Sequence, residues 1–188
     1  MGFIKSGLFV SLDGVIEAPE TWHFPYFDAQ MGAAVGALMA GNDAMLLGRQ
    51  TYDEFAGYWP GADPSDPITG QMNGARKYVV STTLTDPQWQ NTSAIGGDVA
   101  AELTALKQTT RLGTTGSAGL VRWLLEQGLL DELHLLVHPI VVGHGKKLFT
   151  DGATVPLALQ SSTTFDSGVL YLVYTRAVSD AANAAAAQ

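Results

Sequence analysis

The chain contains no cysteine. Disulfide bonds and thiolate-ligated metal centres are therefore excluded. Basic residues are also few, because 10 lysines and arginines stand against 18 aspartates and glutamates, which leaves a formal net charge of −8. Binding to nucleic acid or to an anionic membrane surface requires concentrated lysine and arginine, so the composition argues against both kinds of partner.

Long apolar runs are missing as well. Polar residues interrupt each apolar stretch well before membrane-spanning length, and the opening MGFIKSGLFVSLDG has no basic segment followed by an apolar signal stretch. We therefore expect a cytoplasmic protein. The 188 residues do supply apolar side chains, 46% of the total, which is enough to build one sizeable core.

Strand and helix patterns alternate over the first two thirds of the chain, and strand patterns alone follow. The stretches 157–165 and 168–178 resemble a closing antiparallel hairpin, whereas the Pro- and Gly-rich stretch 57–74 is predicted to be a loop. We predict one α/β domain over residues 1–178, with a mainly parallel sheet, an antiparallel C-terminal hairpin and helices on both faces. Residues 179–188 are predicted to form a low-complexity, frayed tail.

Three turns share one pattern, in which a buried strand ends in small polar residues and a helix is expected to follow. Helix N-termini leave backbone N–H groups unpaired and favour an anion, while glycine lets a phosphate approach and arginine adds a cation. Because ligands sit at the carboxyl ends of parallel strands, the pattern predicts a site for a ligand with several phosphates. The turns are Gly48-Arg49-Gln50-Thr51, Ser81-Thr82-Thr83 and Gly116-Ser117-Ala118-Gly119.

Each turn taken alone has a simpler interpretation. Thr51 could cap a helix, Arg49 could be a solvated surface charge, and Gly116 and Gly119 could be ordinary turn glycines. Their order along the chain favours the anion site. Six of the ten cations also lie near the ends of predicted strands, namely Arg49, Arg76, Lys77, Arg111, Lys146 and Lys147.

The histidines do not form a metal-binding pattern. On one strand, His134 and His138 would share a face but lie about 13 Å apart, which is too far to bind one ion. His144 follows Pro139 and Gly143, where the chain is expected to change direction. We therefore predict no metal site.

The motifs resemble those of the dihydrofolate reductase-like superfamily. The chain is most similar to single-domain proteins like the reductase half of the bifunctional riboflavin-biosynthesis deaminase-reductase. This resemblance implies a three-layer fold, NADPH, hydride transfer to a small pterin-like or pyrimidine-like heterocycle, and a homodimer. An alternative is a nucleotide-binding module of the same fold without turnover. The matching stretches are SLDG (11–14), LLGRQTYDEF (46–55), YVVSTTL (78–84), GSAGLVRWLLEQGLLDEL (116–133), PIVVGHGKKLF (139–149) and YLVYTR (171–176).

The resemblance also implies which residues bind the cofactor, because the same three turns border NADPH in this superfamily. Gly48, Arg49 and Thr51 would lie beside its phosphates. Ser81, Thr82 and Thr83 would lie near the 2′-phosphate, and Gly116, Ser117, Ala118 and Gly119 under the pyrophosphate. Ser117 stands where relatives frequently have a second glycine, and serine tolerates a positive φ less readily than glycine does.

Asp13 and Asp28 are the catalytic candidates. Asp13 is either part of an Asp-Gly turn or a carboxylate beside the nicotinamide. The stretch WHFPYFDAQM is similar to the one where dihydrofolate reductases place a substrate-gripping carboxylate, but Asp28 comes one residue, about a hundred degrees of helix, later. Trp22 is predicted to be a wall of the substrate pocket, and Glu17 is either a substrate contact or a solvated loop residue.

Overall fold

The computed structural model describes residues 1–177. The tail predicted for 179–188 lies outside these residues. The strands are β1 (Phe3–Ser11), β2 (Ala44–Gly48), β3 (Arg76–Val80), β4 (Thr92–Ile95), β5 (Arg111–Thr114), β6 (Glu132–His138), β7 (Leu157–Thr164) and β8 (Leu170–Arg176). The helices are α1 (Ala29–Ala40), α2 (Arg49–Tyr58), α3 (Pro67–Gly74), α4 (Val99–Leu106) and α5 (Ala118–Glu126). Of these five, none has the length and apolar character that a membrane crossing requires.

The eight strands form one sheet in the order β4-β3-β2-β5-β1-β6-β8-β7. The five pairings from β4 to β6 are parallel, and β8 is antiparallel to both β6 and β7. The predicted sheet, mainly parallel with an antiparallel C-terminal hairpin, is therefore confirmed. Strand β7 forms one edge of this sheet. The homodimer expected from the family resemblance remains a prediction.

Helices cover both faces of the sheet, because successive side chains along a strand point to opposite faces and apolar side chains occur on both. On β1, Ile4 and Leu8 pack in the main core with Leu124 of α5. Phe9 points the other way and packs in a separate cluster with Met31 of α1. The prediction of helices on both faces is therefore confirmed.

The structure corrects two predictions about local structure. Residues 57–74 are not a continuous loop, because they contain α3, which begins at Pro67 and is capped by the Asp66 side chain accepting from the Ile68 N–H at 2.9 Å. Proline at the first helical position is a helix-start signal that the surrounding glycines and prolines obscured. No helix begins at Ser81 either, because residues 81–91 lead from β3 into β4.

Lys77 is fully buried at the start of β3, with 0% of its surface exposed. Its Nζ donates hydrogen bonds to the carbonyl oxygens of Asn73, Ala75 and Gln90 at 3.2, 2.7 and 3.2 Å. The same ammonium lies 4.0 Å from the centre of the Trp89 ring. Burial lowers the pKa of Lys77 to about 8. One cation thus ties the end of α3 to the segment before β4.

Candidate functional site

The carboxyl ends of β2 and β5 open onto a cavity of about 700 Å³. Its wall includes Gly48 and Arg49 at the start of α2, and Ser117, Ala118 and Gly119 at the start of α5. Neither helix has a side-chain hydrogen bond capping its N-terminus. The unpaired N–H groups and the positive ends of both helix dipoles therefore favour an anion here.

Two of the predicted turns are packed directly against each other. A Cβ at Gly48 would overlap the hydroxyl of Ser117, and one at Gly116 would lie 2.9 Å from Cγ2 of Thr51. The hydroxyls of Thr51 and Ser117 are hydrogen-bonded at 3.0 Å. Ser117 itself adopts the left-handed conformation, with φ 62° and ψ 84°, at a position where glycine would be unstrained. Glycine at 48 and 116 is therefore required by this contact.

Four cations line this cavity, which we call the basic cleft: Arg49, Arg122, Lys146 and Lys147. Arg49 is paired with Asp53 at 2.9 Å and also donates to the Thr83 hydroxyl at 3.3 Å. Arg122 donates to the carbonyl oxygen of Leu148 at 2.8 Å, which fixes the segment that carries the two lysines. In an acidic protein, this concentration of positive charge suits a phosphorylated ligand.

The six cations near predicted strand ends divide into two groups. Arg76, Lys77 and Arg111 stand at the amino ends of β3 and β5, and hence at the opposite edge of the sheet from the basic cleft. Arg111 is paired there with Asp43. Arg122 was missed because a single arginine within a helical pattern carries no signal of what lies opposite.

The turn at residues 81–83 reaches the basic cleft only at its margin. The Ser81 hydroxyl accepts from the backbone N–H groups of Thr83 and Leu84, both at 3.2 Å, and so closes the turn. Thr83 contacts Arg49 through its hydroxyl. Ser81, Thr82 and Thr83 are all absent from the lining of the cleft, whose wall includes Val80 immediately before them. The cofactor roles of these three residues remain predictions.

A second cavity, of about 240 Å³, lies between α1 and the paired strands β1 and β5, and we call it the apolar cavity. Phe9, Val35 and Leu38 are among its walls, and Thr114 and Thr115 line it next to the turn that enters the basic cleft. Its polar residues also include Lys5 and Asn42. Sequence analysis missed Lys5, although it shares one face of β1 with Gly7 and Phe9.

Asp13 is fixed by hydrogen bonds from the loop after β6. Its two oxygens accept from the N–H groups of Val142 and Gly143 at 3.0 and 2.9 Å, and from the Ser11 hydroxyl at 2.7 Å. The Ser11 hydrogen bond, with the two backbone bonds, lowers the pKa of Asp13 to about 2. Asp13 is therefore ionised at neutral pH, and its oxygens act as hydrogen-bond acceptors.

Residues 12–17 and 140–148 form a paired structure, which we call the loop clamp. Besides Asp13, Val15 bridges to Lys147, and the Ile16 N–H donates to the Lys146 carbonyl at 2.9 Å. Glu17 accepts from the Lys146 N–H at 3.2 Å, and its carboxylate lies 3.7 Å from the Lys146 ammonium. Glu17 thus positions a lysine of the basic cleft.

Asp28 and Trp22, the other two residues predicted to lie near the substrate, make hydrogen bonds with residues close to them in sequence. Asp28 caps α1 by accepting from the Met31 N–H at 2.8 Å, and this hydrogen bond lowers its pKa. Trp22 is buried, donates through Nε1 to the Glu17 carbonyl at 3.1 Å, and packs edge-on against His138 at 5.1 Å. Asp13, Asp28, Trp22 and Glu17 are absent from the walls of both cavities. Their catalytic and substrate-binding roles remain predictions.

The histidines lie apart from any metal-binding arrangement. Within residues 1–177, no three histidine or carboxylate side chains gather closely enough to hold a metal ion. His134 is hydrogen-bonded to Tyr171 and Glu132 at 2.8 and 2.9 Å. His138 is fully buried, and its Nδ1 lies 2.9 Å from the Leu136 carbonyl.

Two buried histidines should make the protein less stable in acid. Burial lowers the pKa of both His23 and His138, whose rings lie 6.1 Å apart, so both bind a proton less readily in the folded protein than in the unfolded chain. Below pH 6.5, the ordinary pKa of histidine, the unfolded chain binds protons at these two residues more readily than the folded protein does. The free energy of unfolding is therefore fully retained above that pH and falls below it, by up to about 1.4 kcal/mol per pH unit for each histidine.

Urea denaturation between about pH 5 and pH 7 measures this loss. His23→Phe keeps the stacking on Phe9, whose ring lies 4.5 Å away, but removes one titrating group, so its stability should depend less steeply on pH. His144→Gln, at an exposed histidine, is the control and should follow the wild type. Parallel profiles for His23→Phe and the wild type would contradict the prediction.

The sequence of the chain is similar to those of known proteins. The model of the RibD C-terminal domain matches residues 3–171. Over 178 residues the chain is 32% identical to the uncharacterized protein YyaP of Bacillus subtilis strain 168, covering 89% of this chain and 91% of that protein.

Two solved structures resemble the whole described fold. A putative riboflavin biosynthesis protein from Shewanella sp. PV-4 has a TM-score of 0.75 at 20% identity, covering 95% of this chain and 100% of that one. Dihydrofolate reductase from Enterococcus faecalis, solved with NADP(H) and RAB-propyl, has a TM-score of 0.64 at 14% identity, covering 94% and 98%. The predicted dihydrofolate reductase-like fold is confirmed.

Proposed function

We propose that this chain, which belongs to the RibD C-terminal domain family, is an NADPH-dependent reductase of a small pterin-like or pyrimidine-like heterocycle. One observation carries the proposal: the basic cleft and the apolar cavity are neighbours. Thr114 and Thr115 line the apolar cavity, and Ser117 and Ala118, a few residues later, line the cleft. A ligand with phosphates in the cleft can therefore present its other end to the apolar cavity.

The residues of the basic cleft fit NADPH. The close contact between Gly48 and Ser117 holds the N-termini of two helices together in the wall of the cleft, and the four cations supply charge for the phosphates. When bound, NADPH supplies the hydride. The chain's own contribution is to orient the reactants and to exclude water, for which the apolar walls formed by Phe9 and Leu38 are suited.

A nucleotide-binding module without turnover is the second candidate. In the described part of the chain, the apolar cavity has no carboxylic acid in its wall, and Lys5 is its one titratable side chain. The hydrogen bonds that Asp13 accepts from the loop clamp and the capping of α1 by Asp28 support this candidate, because each carboxylate has a structural role. Oxidation of NADPH with pterins or aminouracils separates the two candidates, because the module binds NADPH but does not consume it.

Thermal unfolding with NADPH and NADH tests the proposal. At a hundredfold excess over Kd, NADPH should stabilise the folded protein by about 2.7 kcal/mol, and NADH by less. Arg49→Gln removes a cation from the cleft and should weaken NADPH binding by about tenfold, since hydrogen bonds to charged groups contribute about 1.5–3 kcal/mol.

The matched control is Arg76→Gln. Arg76 is also an exposed arginine at a strand end, but it lies at the other edge of the sheet. This variant should bind NADPH like the wild type. If neither nucleotide raises the melting temperature of the wild type, the proposed function is wrong, and the three turns serve structure alone.

A further inference from the structure

The hydroxyl groups of Thr51 and Ser117 differ in their access to the basic cleft. Ser117 is partly buried and lines the cleft. Thr51 is only 6% exposed and is absent from the lining. Its Oγ1 lies against Gly116, where a Cβ would be 3.0 Å away, and against the Ser117 hydroxyl, also at 3.0 Å. A ligand in the cleft therefore meets the hydroxyl of Ser117 and not that of Thr51.

One hydrogen of this hydroxyl pair is left without an acceptor. Each hydroxyl has one hydrogen to donate, and the two oxygens share a single hydrogen bond of 3.0 Å. Within residues 1–177, neither oxygen has a further hydrogen-bond partner. Because Thr51 is the buried member, the arrangement that leaves no buried donor unpaired has Thr51 donating to Ser117. The hydrogen of Ser117 then remains available to a ligand in the cleft.

The backbone of Ser117 explains why its side chain does not cap α5. A serine at this position usually accepts a hydrogen bond from an N–H group of the first helical turn. Ser117 makes no such bond, and in its left-handed conformation the hydroxyl lies beside Thr51 and Gly48 instead. Neither the hydroxyl hydrogen nor the first N–H groups of α5 are therefore consumed by a capping contact.

We infer that the Ser117 hydroxyl donates a hydrogen bond to a phosphate oxygen of the bound nucleotide, and that Thr51 acts through Ser117 as a positioning residue. The inference rests on the proposed function, because it concerns the cofactor of the same cleft. It differs from the roles that the family resemblance implies, which place Thr51 itself beside the phosphates and frequently a glycine at the position of Ser117. A hydroxyl that accepts one hydrogen bond donates the next more strongly, so the bond from Thr51 supports the contact.

Two substitutions that break the same hydrogen bond test the inference. Ser117→Ala removes the donor, so calorimetric titration should show about tenfold weaker binding of NADPH, as expected for the loss of a hydrogen bond to a charged group. Thr51→Val leaves that donor in place and should weaken binding by less than about threefold. Thr51→Ser keeps both hydroxyls and should bind like the wild type. Thr69→Val, at a buried threonine of α3 that lines neither cavity, is the matched control and should also bind like the wild type.

Three results would overturn the inference: wild-type affinity in Ser117→Ala, equal losses in Ser117→Ala and Thr51→Val, or a larger loss in Thr51→Val. Equal losses would mean that the hydrogen bond between the two side chains serves structure alone. Ser117→Gly also lacks the hydroxyl but is unstrained in the left-handed conformation, so its expected tenfold loss decides the question if Ser117→Ala fails to fold. Absence of NADPH binding by the wild type would overturn the proposed function and this inference together, whereas the three results above leave the proposed function standing.

Discussion

Replacing Gly48 with alanine should abolish the stabilisation of the protein by NADPH. The new methyl group would overlap the Ser117 hydroxyl, so the start of α2 must move away from the start of α5. Both helix N-termini that favour an anion would be displaced, and overpacking of this kind costs about 1–3 kcal/mol of folding stability. The stabilisation of about 2.7 kcal/mol expected at a hundredfold excess of NADPH should therefore disappear. Thermal unfolding with and without NADPH measures both effects.

A second substitution should restore the folding stability lost in Gly48→Ala. Ser117→Gly removes the atoms in conflict, and the next neighbour of the new methyl group would be Cβ of Leu120 at 3.6 Å, an ordinary contact. Glycine also relieves the left-handed backbone at residue 117. Gly57→Ala, in the exposed part of the same helix with no atom within 4 Å of the new Cβ, is the control. It should be as stable as the wild type or more stable by up to about 1 kcal/mol. An unchanged NADPH shift in Gly48→Ala would refute the packing argument.

Replacing Lys77 with methionine should destabilise the protein by about 2 kcal/mol, although it removes a buried charge. Lowering the pKa from 10.5 to about 8 means that burial of the charged form costs about 3 kcal/mol. Against this, the carbonyls of Ala75 and Gln90 would lose their ammonium donor, at about 1–3 kcal/mol each, and the contact with Trp89 would lose about 1–2 kcal/mol. The losses exceed the gain.

Urea denaturation of Lys77→Met and Arg76→Met measures this balance. Arg76 is the exposed neighbour of Lys77, and its replacement should change the free energy of unfolding by less than about 0.5 kcal/mol. The wild type should also gain stability between pH 8 and pH 10.5, because the unfolded chain there holds a proton on Lys77 that the folded protein has released. Lys77→Met should lack this gain. A more stable Lys77→Met would mean that the carbonyls find other donors.

The fold was predictable because its signals are local. Alternation along residues 3–12 and the apolar runs that follow indicate strands irrespective of what packs on them. The Asp66-Pro67 helix start was overlooked because the glycines and prolines around it also fit a loop. A short segment is difficult to assign when it contains both a helix-start signal and residues typical of loops.

The site was only partly predictable because its contacts are distant in sequence. The turns at Gly48 and Ser117 could be found from their residue types, but their mutual contact joins residues far apart in the chain. The Asp-Gly turn at Asp13 was one of the two open interpretations, yet its partners Val142 and Gly143 could not be identified. The sequence Arg76-Lys77 does not indicate that Arg76 is exposed and Lys77 buried. The burial of Lys77 depends on contacts with Trp89 and the end of α3.

The loop clamp gives the two cavities a direct physical connection through which binding in one can influence binding in the other. Residues 12–17 contribute Ile16 to the apolar cavity, and the segment bound to them contributes Lys146 and Lys147 to the basic cleft. An occupant that displaced Ile16 would act on the two lysines through the hydrogen bond from the Ile16 N–H to the Lys146 carbonyl. Linkage is reciprocal. If the first ligand changes the affinity for the second by some factor, the second ligand changes the affinity for the first by the same factor. The order in which the two ligands arrive then changes the path of binding but not its total free energy.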